Sequence, residues 1–538
     1  MRMPARARAR GVAMVAALAV LAGLVLDSPA TAGPRAVARG ITTALPSAGS
    51  GLPLGPVDLP EIRTVERPAP GVTLTTIQRG QASPADVWTV TAGFFPDRAA
   101  AEDLASRLVA AGFSPGVERV DGRAVDDPQR GPVGYQVRVG ASQDQSAMNA
   151  LAGQLAAAGF AGASVTNTAL DGTLTTGPWV VRVLRVHPGT FRGRLRVHLA
   201  TDVIPERETV SSLAGRIGAL AAVNGGYFVI NPGDGTPGDL AGISVIDGRL
   251  VSEAVNGRAA LTIARGSRAT VARLVTRMTV RSSDGAARRL DGLNRAPGLI
   301  RSCGEPGDLP TERPKHDFTC TNPDELVAFD ADFGTTADPG AGVQAVLDRH
   351  GKVLRLEETR GGAIPAGGTV LEGIGAGAGW LRTHAQPGRT LRLDQQVSDT
   401  RGRPLRLGPG LDVVNGGPLL VHGGRPFVDA FAEGFVQPDI PSFYYGFGVR
   451  RNPRTMAGVT AGGDVLLVTV DGRQPGYSVG LSFAEEAAVM RSLGAREALN
   501  LDGGGSTTMV ADGQLLGRPS DATGERPIGD ALLVQTRG

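Results

Sequence analysis

Aromatic side chains make up only 4% of the 538 residues, and no dense basic stripe with aromatics interleaved runs through the chain. That removes the usual footprint of a nucleic-acid binder, although Lys+Arg total 55 against 52 Asp+Glu and the net charge is +3. Histidine is scarce too, with six residues and none after His422. A histidine-based triad therefore has no member in the C-terminal fifth of the chain. His-Glu-x-x-His does not occur, and Gly-x-Ser-x-Gly occurs only at residues 112–116 and 476–480, with no histidine following either near enough in sequence to mark a triad. Two cysteines, Cys303 and Cys320, with only His316 near them, make a poor zinc set. Beyond about residue 26 no apolar run approaches the roughly 20 residues of a membrane span. Asp330-Ala331-Asp332 lacks the length and closing glutamate of an EF-hand.

What is abundant is glycine, 77 residues, which points to turns and strands rather than long helices. Hydrophobic residues reach 41%, enough for real cores in two or three domains of about 100–200 residues each. At the N-terminus Arg2, Arg6, Arg8 and Arg10 precede an apolar run from about Val12 to Leu26, then Ala30-Thr31-Ala32. This is the pattern of a signal peptide over residues 1–32 and predicts a secreted or cell-wall protein with no membrane span after cleavage. In that compartment Cys303 and Cys320 read as one disulfide. Residues 33–85, rich in Pro, Gly and Ala, read as a flexible linker.

An internal repeat follows. Gly93, Leu104, Leu108, Gly112 and Phe113 recur 47 positions later as Gly140, Leu151, Leu155, Gly159 and Phe160. Each unit reads strand, helix, strand, with leucines four apart and glycine at the helix stop. Two units make a β-α-β-β-α-β fold over residues 86–170. The phrase Trp88-Thr89-Val90-Thr91-Ala92-Gly93-Phe94-Phe95, the helix with Glu102 and Leu104, and Ala111-Gly112-Phe113 resemble the SPOR domain. That resemblance implies binding to peptidoglycan glycan strands lacking stem peptides.

From residue 178 to 538 the pattern predicts a mixed α/β domain, β-rich around 260–410. Val180–Val186 and Leu195–Ala200 read as strands. The clearest helix runs from Ser482 to Leu493, with Ser482 and Glu485 as a capping box. The run Gly373-Ile374-Gly375-Ala376-Gly377-Ala378-Gly379 reads as a β-turn, since no amphipathic pattern follows it.

Polar residues sit beside glycines at several strand ends: Asn224-Gly225-Gly226-Tyr227-Phe228, Asn415-Gly416-Gly417-Pro418, Arg451-Asn452-Pro453-Arg454-Thr455, Asp471-Gly472-Arg473, and Asn500-Leu501-Asp502-Gly503-Gly504-Gly505-Ser506-Thr507. In the last, successive glycine N–H groups form a candidate anion nest, with hydroxyls beside it. Arg451, Arg454 and Arg473 suit phosphate, and Asn224, Asn415 and Asn500 suit sugar hydroxyls. Together with Arg526 in the tail, these motifs resemble the phosphodiester glycosidase family. The whole chain is then α+β: a ferredoxin-like SPOR-type domain followed by a β-rich phosphodiester glycosidase domain.

The resemblance implies hydrolysis of a sugar-1-phosphodiester in a phosphorylated polysaccharide. Asp502 is the carboxylate expected at the anomeric carbon, as base or nucleophile, and Asp471 is the second candidate. Arg451, Arg454 and Arg473 are expected on the phosphate, and Asn224, Asn415 and Asn500 on the sugar. Gly225, Gly416, Thr455, Gly503, Gly504, Gly505, Ser506, Thr507 and Arg526 complete the expected substrate-binding set. No cofactor is implied, with a divalent cation such as calcium at Asp502 or Asp471 left open. The alternative is a non-catalytic polysaccharide-binding protein.

Overall fold

Three runs rich in Val, Leu and Thr, Val72–Arg79, Trp179–Val186 and Val465–Val470, line up antiparallel in the computed structural model. The structure describes residues 42–44, 51–313 and 315–536. The expected signal peptide lies outside the described residues. These three strands are the middle of a nine-stranded sheet that continues through Arg454–Thr460, Ala495–Asn500 and Leu419–His422. One face packs on the five-stranded sheet containing Ala221–Asn224 and Asp530–Gln535 and on Ala259–Ala264, burying Leu184, Leu261, Leu499 and Leu532. The other face is covered by the helix Phe483–Ser492, through Ala487, Val489 and Met490. That helix begins as expected: Ser482 accepts from Glu485 N, and the Glu485 side chain accepts from Ser482 N.

Two expectations are corrected. Within residues 33–85, the strands Glu61–Ala69 and Val72–Arg79 form a hairpin in the nine-stranded sheet, so this part is no flexible linker. Leu52 and Leu54 bury beside Trp179, and Arg79 Nε donates to Leu54 O at 2.8 Å. Low apolar periodicity hid this hairpin, whose strand Val72–Arg79 also pairs with Trp179–Val186, a hundred or more residues away. The glycine run near 373 is a helix, Gly375–His384, rather than a turn. Its Gly377 packs on the Glu325 backbone, where a Cβ would come within 2.0 Å of Glu325 O, so contact with the neighbouring strand overrides helix propensity.

The repeat folds as its spacing predicts. The order of the four-stranded antiparallel sheet is Pro115–Val120, Gly134–Ser142, Trp88–Phe95, Ser164–Asn167. Arg98–Ala110 and Gln145–Ala157 cover one face through Leu104, Leu108 and Leu155. Both helices stop at a left-handed glycine, Gly112 and Gly159, and Phe113 and Phe160 meet edge-to-face at 6.2 Å. This module is inserted between two strands that pair directly, with Arg79 opposite Trp179. It is held at both ends.

The middle of the chain is β-rich as expected. The seven-stranded sheet built on Ala259–Ala264 and Arg268–Ser282 packs against the five-stranded sheet built on Leu326–Phe329 and Gly340–Leu347. Cys303 and Cys320 are disulfide-bonded across the hairpin of Leu299–Cys303 and His316–Thr321. Among the described residues no helix is long and apolar enough to cross a membrane.

Candidate active site

Five of the strand-end motifs converge because their strands are neighbours. Ala221–Asn224 ends beside Asp502, whose N–H donates to Gly225 O at 3.2 Å and whose carbonyl accepts from Asn224 Nδ2 at 2.8 Å. Arg454–Thr460 pairs with Ala495–Asn500 and brings Thr455 to Asn224, Oγ1 to Oδ1 at 2.6 Å. Asn415 and Gly417 join from the neighbouring sheet, with Gly417 N donating to Asn500 O at 2.7 Å.

Within this cluster many expected ligand groups hold the protein instead. Asn224 is fully buried, and its Oδ1 also accepts from Thr508 N at 3.1 Å. Asn415 Oδ1 accepts from Tyr227 N at 2.8 Å. Asn500 Nδ2 donates to Tyr227 Oη at 2.6 Å and to Gly417 O at 3.0 Å. Gly225 and Gly416 are glycine because a Cβ would lie 2.2 Å from Asp530 Oδ1 or 2.5 Å from Asn500 O. The three asparagines thus build the floor on which Asp502 and Tyr227 sit.

Arg451 and Arg454 also depart from expectation. Arg451 donates to Ala169 O at 2.8 Å, to Thr173 O at 2.7 Å and to Glu485. Arg454, 1% exposed, bonds Leu481 O and Phe447 O and pairs with Glu486 at 2.9 Å, under the rings of Phe447 and Phe483. Burial pushes the Glu486 carboxyl up to about 8, with Arg454 pulling it back. Asp471 is buried as well, its Oδ2 taken by Arg182, Tyr477 Oη and Arg518 N. Asp471 is therefore a brace, and the expected second reacting carboxylate is not found there.

The glycine loop works differently from a nest. Gly503 N donates to Asp502 Oδ1, Gly504 N to Pro453 O, and Ser506 N and Thr507 N bond back to Gly503 and Gly504. Its glycines make room for cations. A Cβ on Gly504 would meet Arg473 Nη2 at 3.2 Å, and one on Gly505 would meet Arg526 Nη2 at 2.2 Å. Arg526 is held bidentate by Asp521 at 2.8 and 3.0 Å. Arg473 forms no ion pair with a described residue, and Asn452 Oδ1 accepts from its Nε and Nη2 at 3.0 and 2.9 Å. Although Arg473 is exposed as a residue, desolvation of its guanidinium first, and then the neighbouring Arg454 and Arg526, hold its pKa below the ordinary value. Positive charge crowded in this way favours a bound anion.

Around the loop, Ser506 Oγ, Thr507 Oγ1, Thr508 Oγ1, Asn500 Oδ1 and Asp530 Oδ2 are buried without a hydrogen-bond partner among the described residues. Such atoms are rare in folded chains, and a cluster of them marks a polar site. Asp530 was not anticipated. It opens Asp530–Gln535, accepts from Gly226 N at 2.9 Å, and is 1% exposed. Burial, and to a lesser degree the charge of Asp502, push its carboxyl up to about 7. A lone acid before the apolar run Ala531–Val534 was its only signal. Tyr227 was also missed as a site residue; its Oη donates to Gly417 O at 2.6 Å, and Phe435 and Phe447 flank it at 5.8 and 6.3 Å. A separate cavity of about 550 Å³ lies under the disulfide hairpin beside Asp239, Glu253 and Lys315; neither Asp502 nor Arg473 lines it. Among the described residues no group of three or more His, Cys, Asp or Glu is gathered as a metal set.

Comparisons with known proteins bear on the family and the fold. The phosphodiester glycosidase family matches residues 341–535, and the SPOR domain matches residues 84–167. No curated protein matches the chain significantly. A candidate exported protein from Burkholderia pseudomallei, solved by crystallography, is 40% identical with a TM-score of 0.85, covering 92% of this chain and 99% of that one. A hypothetical protein from Synechocystis shares the fold at 17% identity and a TM-score of 0.53, covering 89% of this chain and 80% of that one. The catalytic domain of zebrafish N-acetylglucosamine-1-phosphodiester alpha-N-acetylglucosaminidase aligns over 67% of this chain and 78% of its own, at 17% identity. Its TM-score of 0.34 is too low to carry residue roles across.

Proposed function

Because the chain belongs to the phosphodiester glycosidase family and carries a SPOR domain, we propose that it is an exported hydrolase of sugar-1-phosphodiester linkages, such as N-acetylglucosamine-1-phosphate diesters, in cell-wall or capsular polysaccharide. The observation that carries the reading is Arg473, with no ion pair to a described residue, lying over Gly504 beside Asp502 and the unpartnered hydroxyls of Ser506, Thr507 and Thr508.

In this reading Arg473 and Arg526 hold the phosphate, and Asp502 acts at the anomeric carbon. Acting as base, Asp502 takes a proton from water; the oxygen bonds to the anomeric carbon, and the carbon–oxygen bond to phosphate breaks. The electron pair leaves on a phosphate monoester, which needs less help from a general acid than an alkoxide does. Fixed guanidinium charge in a half-buried site stabilises that leaving anion. Tyr227, backed by Phe435 and Phe447, forms the wall against which a sugar ring packs. The reaction so written takes no cofactor. The SPOR domain binds peptidoglycan glycan strands and keeps the enzyme at the wall.

Purified protein incubated with an N-acetylglucosamine-1-phosphate diester is expected to release free sugar. Asp502→Ala is expected to lower the rate by about 10²–10⁴. Unchanged activity in that variant removes Asp502 from the mechanism. Glycan binding without product, however long the incubation, identifies a non-catalytic binding protein instead.

A further inference from the structure

The SPOR-type module does not hang from a tether. Its sheet lies against the segment that leads into the active site. Phe94 stacks on Tyr445 with ring centroids 4.7 Å apart, and Tyr445 Oη lies 3.0 Å from Gln136 Oε1 and 3.2 Å from Asp171 Oδ1. Arg138 pairs with Asp171 at 2.7 Å beneath it. Val120, Ala124 and Val133 of the module share one apolar cluster with Phe435, Tyr444, Tyr445 and Phe483, and Tyr227 packs on its edge. Asp126 accepts from Phe431 N and Ala432 N at 3.1 and 2.8 Å.

These contacts continue, bond by bond, to the glycine loop. Arg450 donates to Thr166 Oγ1. Arg451 bonds the module's C-terminal segment with its backbone N–H, to Leu170 O at 2.8 Å, and with its guanidinium, to Ala169 O and Thr173 O. Between these arginines and the site stands Asn452. Its Nδ2 donates to Gly446 O at 3.0 Å and Arg450 O at 3.1 Å, which fixes the amide's orientation. Its Oδ1 then faces Arg473 and receives both bonds from that guanidinium. Pro453 O, next in the chain, accepts from Gly504 N at 2.9 Å. The residues before Asn452, Tyr445–Val449, form a π-helical turn, a wound form seen mostly as single turns at functional sites.

We propose that the SPOR-type module is a positioning element of the active site, acting through Arg450, Arg451 and Asn452 to hold Arg473 over Gly504. The inference rests on Arg473 being the phosphate-holding cation. A long side chain loses up to about 2 kcal/mol of rotamer freedom when ordered. With no carboxylate of a described residue in ion-pair reach, Arg473 is ordered by Asn452 alone among the described side chains that bond it. Asn452 is in turn ordered by a backbone that the module clamps.

The test uses the full chain, with Thr166→Val plus Asp171→Asn to loosen the module contact and Asn452→Ser to cut the last link while leaving that contact intact. Hydrogen exchange is read first. Both variants are expected to speed exchange in residues 471–476 and 503–508, with none in the remote strand Gly340–Leu347. Faster exchange confined to residues 164–173 and 445–452 in the first variant overturns the proposal. Inorganic phosphate binding is read second. Each variant is expected to weaken it five- to tenfold and to raise KM more than it lowers kcat. In an Arg473→Ala background the same substitutions are expected to have no further effect. An equal loss in that background shows that the module acts elsewhere and also overturns the proposal. If the wild-type protein binds no phosphate, the role given to Arg473 fails, while hydrogen exchange still decides whether the module positions it. Should the double variant fail to fold, Thr166→Val alone takes its place in both readouts, since it loosens the module contact at Arg450.

Discussion

Replacing Asp530 by asparagine tests the electrostatics of the site without a substrate. The carboxyl is 1% exposed, and its pKa is raised from 3.8 to about 7. The sign follows from proton uptake. Between about pH 4 and 7 the folded chain keeps this proton and the unfolded chain releases it, so stability falls as pH rises through that window and is level above it. At about 1.4 kcal/mol per pH unit, the full displacement is worth about 4 kcal/mol, a ceiling because buried groups relax. Asparagine imitates the protonated acid. It keeps an acceptor for Gly226 N and places an uncharged amide where Oδ2 lies buried without a partner. Asp530→Asn is therefore expected to match wild type near pH 4 and to exceed it by about 2–4 kcal/mol at pH 8, read as the difference in calorimetric unfolding between the two pH values. Asp502→Asn should shrink that difference, since Asp502's charge contributes to the rise. A stability difference that is the same at both pH values would refute the reasoning.

Four further outcomes are expected. Arg473→Ala should weaken phosphate binding with little change in melting temperature, whereas Arg451→Ala, which strips bonds to Ala169, Thr173 and Glu485, should lower the melting temperature; calorimetry and phosphate titration separate them. Gly505→Ala should displace Arg526 and Asp521, since its Cβ falls 2.2 Å from Arg526 Nη2, and phosphate titration reads the loss. Opening the disulfide by Cys303→Ser with Cys320→Ser, 17 positions apart, should cost up to about 3 kcal/mol in thermal unfolding with hydrolysis retained. Dialysis against a chelator should leave hydrolysis unchanged, and calcium-restored activity would place a cation at the site.

Local and periodic features were legible in the sequence. The 47-residue repeat predicted the module down to the left-handed stops at Gly112 and Gly159, because helix spacing and glycine backbone freedom act over a few residues. The capping box at Ser482 was readable for the same reason, and the disulfide because the sequence holds two cysteines and reads as exported. The strand-end motifs announced that something polar gathers there, and they do converge. Which side chain faces in and which braces was not legible. Asn224, Asn415, Asn500, Arg451, Arg454 and Asp471 have the right chemistry for a sugar phosphate, yet each is bonded to partners brought from elsewhere in the chain, Asn500 through its Nδ2.

What the sequence determined by itself was therefore an inventory: a repeated module, a strand-rich domain, and a set of polar residues at strand ends. The tertiary structure decided their roles. A hydrogen-bonding group has the same capacity whether it meets a ligand or a neighbouring carbonyl. Only the packing of sheets distant in sequence, which buries Asn224 and leaves Arg473 without a described carboxylate in ion-pair reach, selects between them. It also made residues 61–79 strands and joined the module to the site through Asn452, since pairing between Arg79 and Trp179 depends on a partner a hundred residues away.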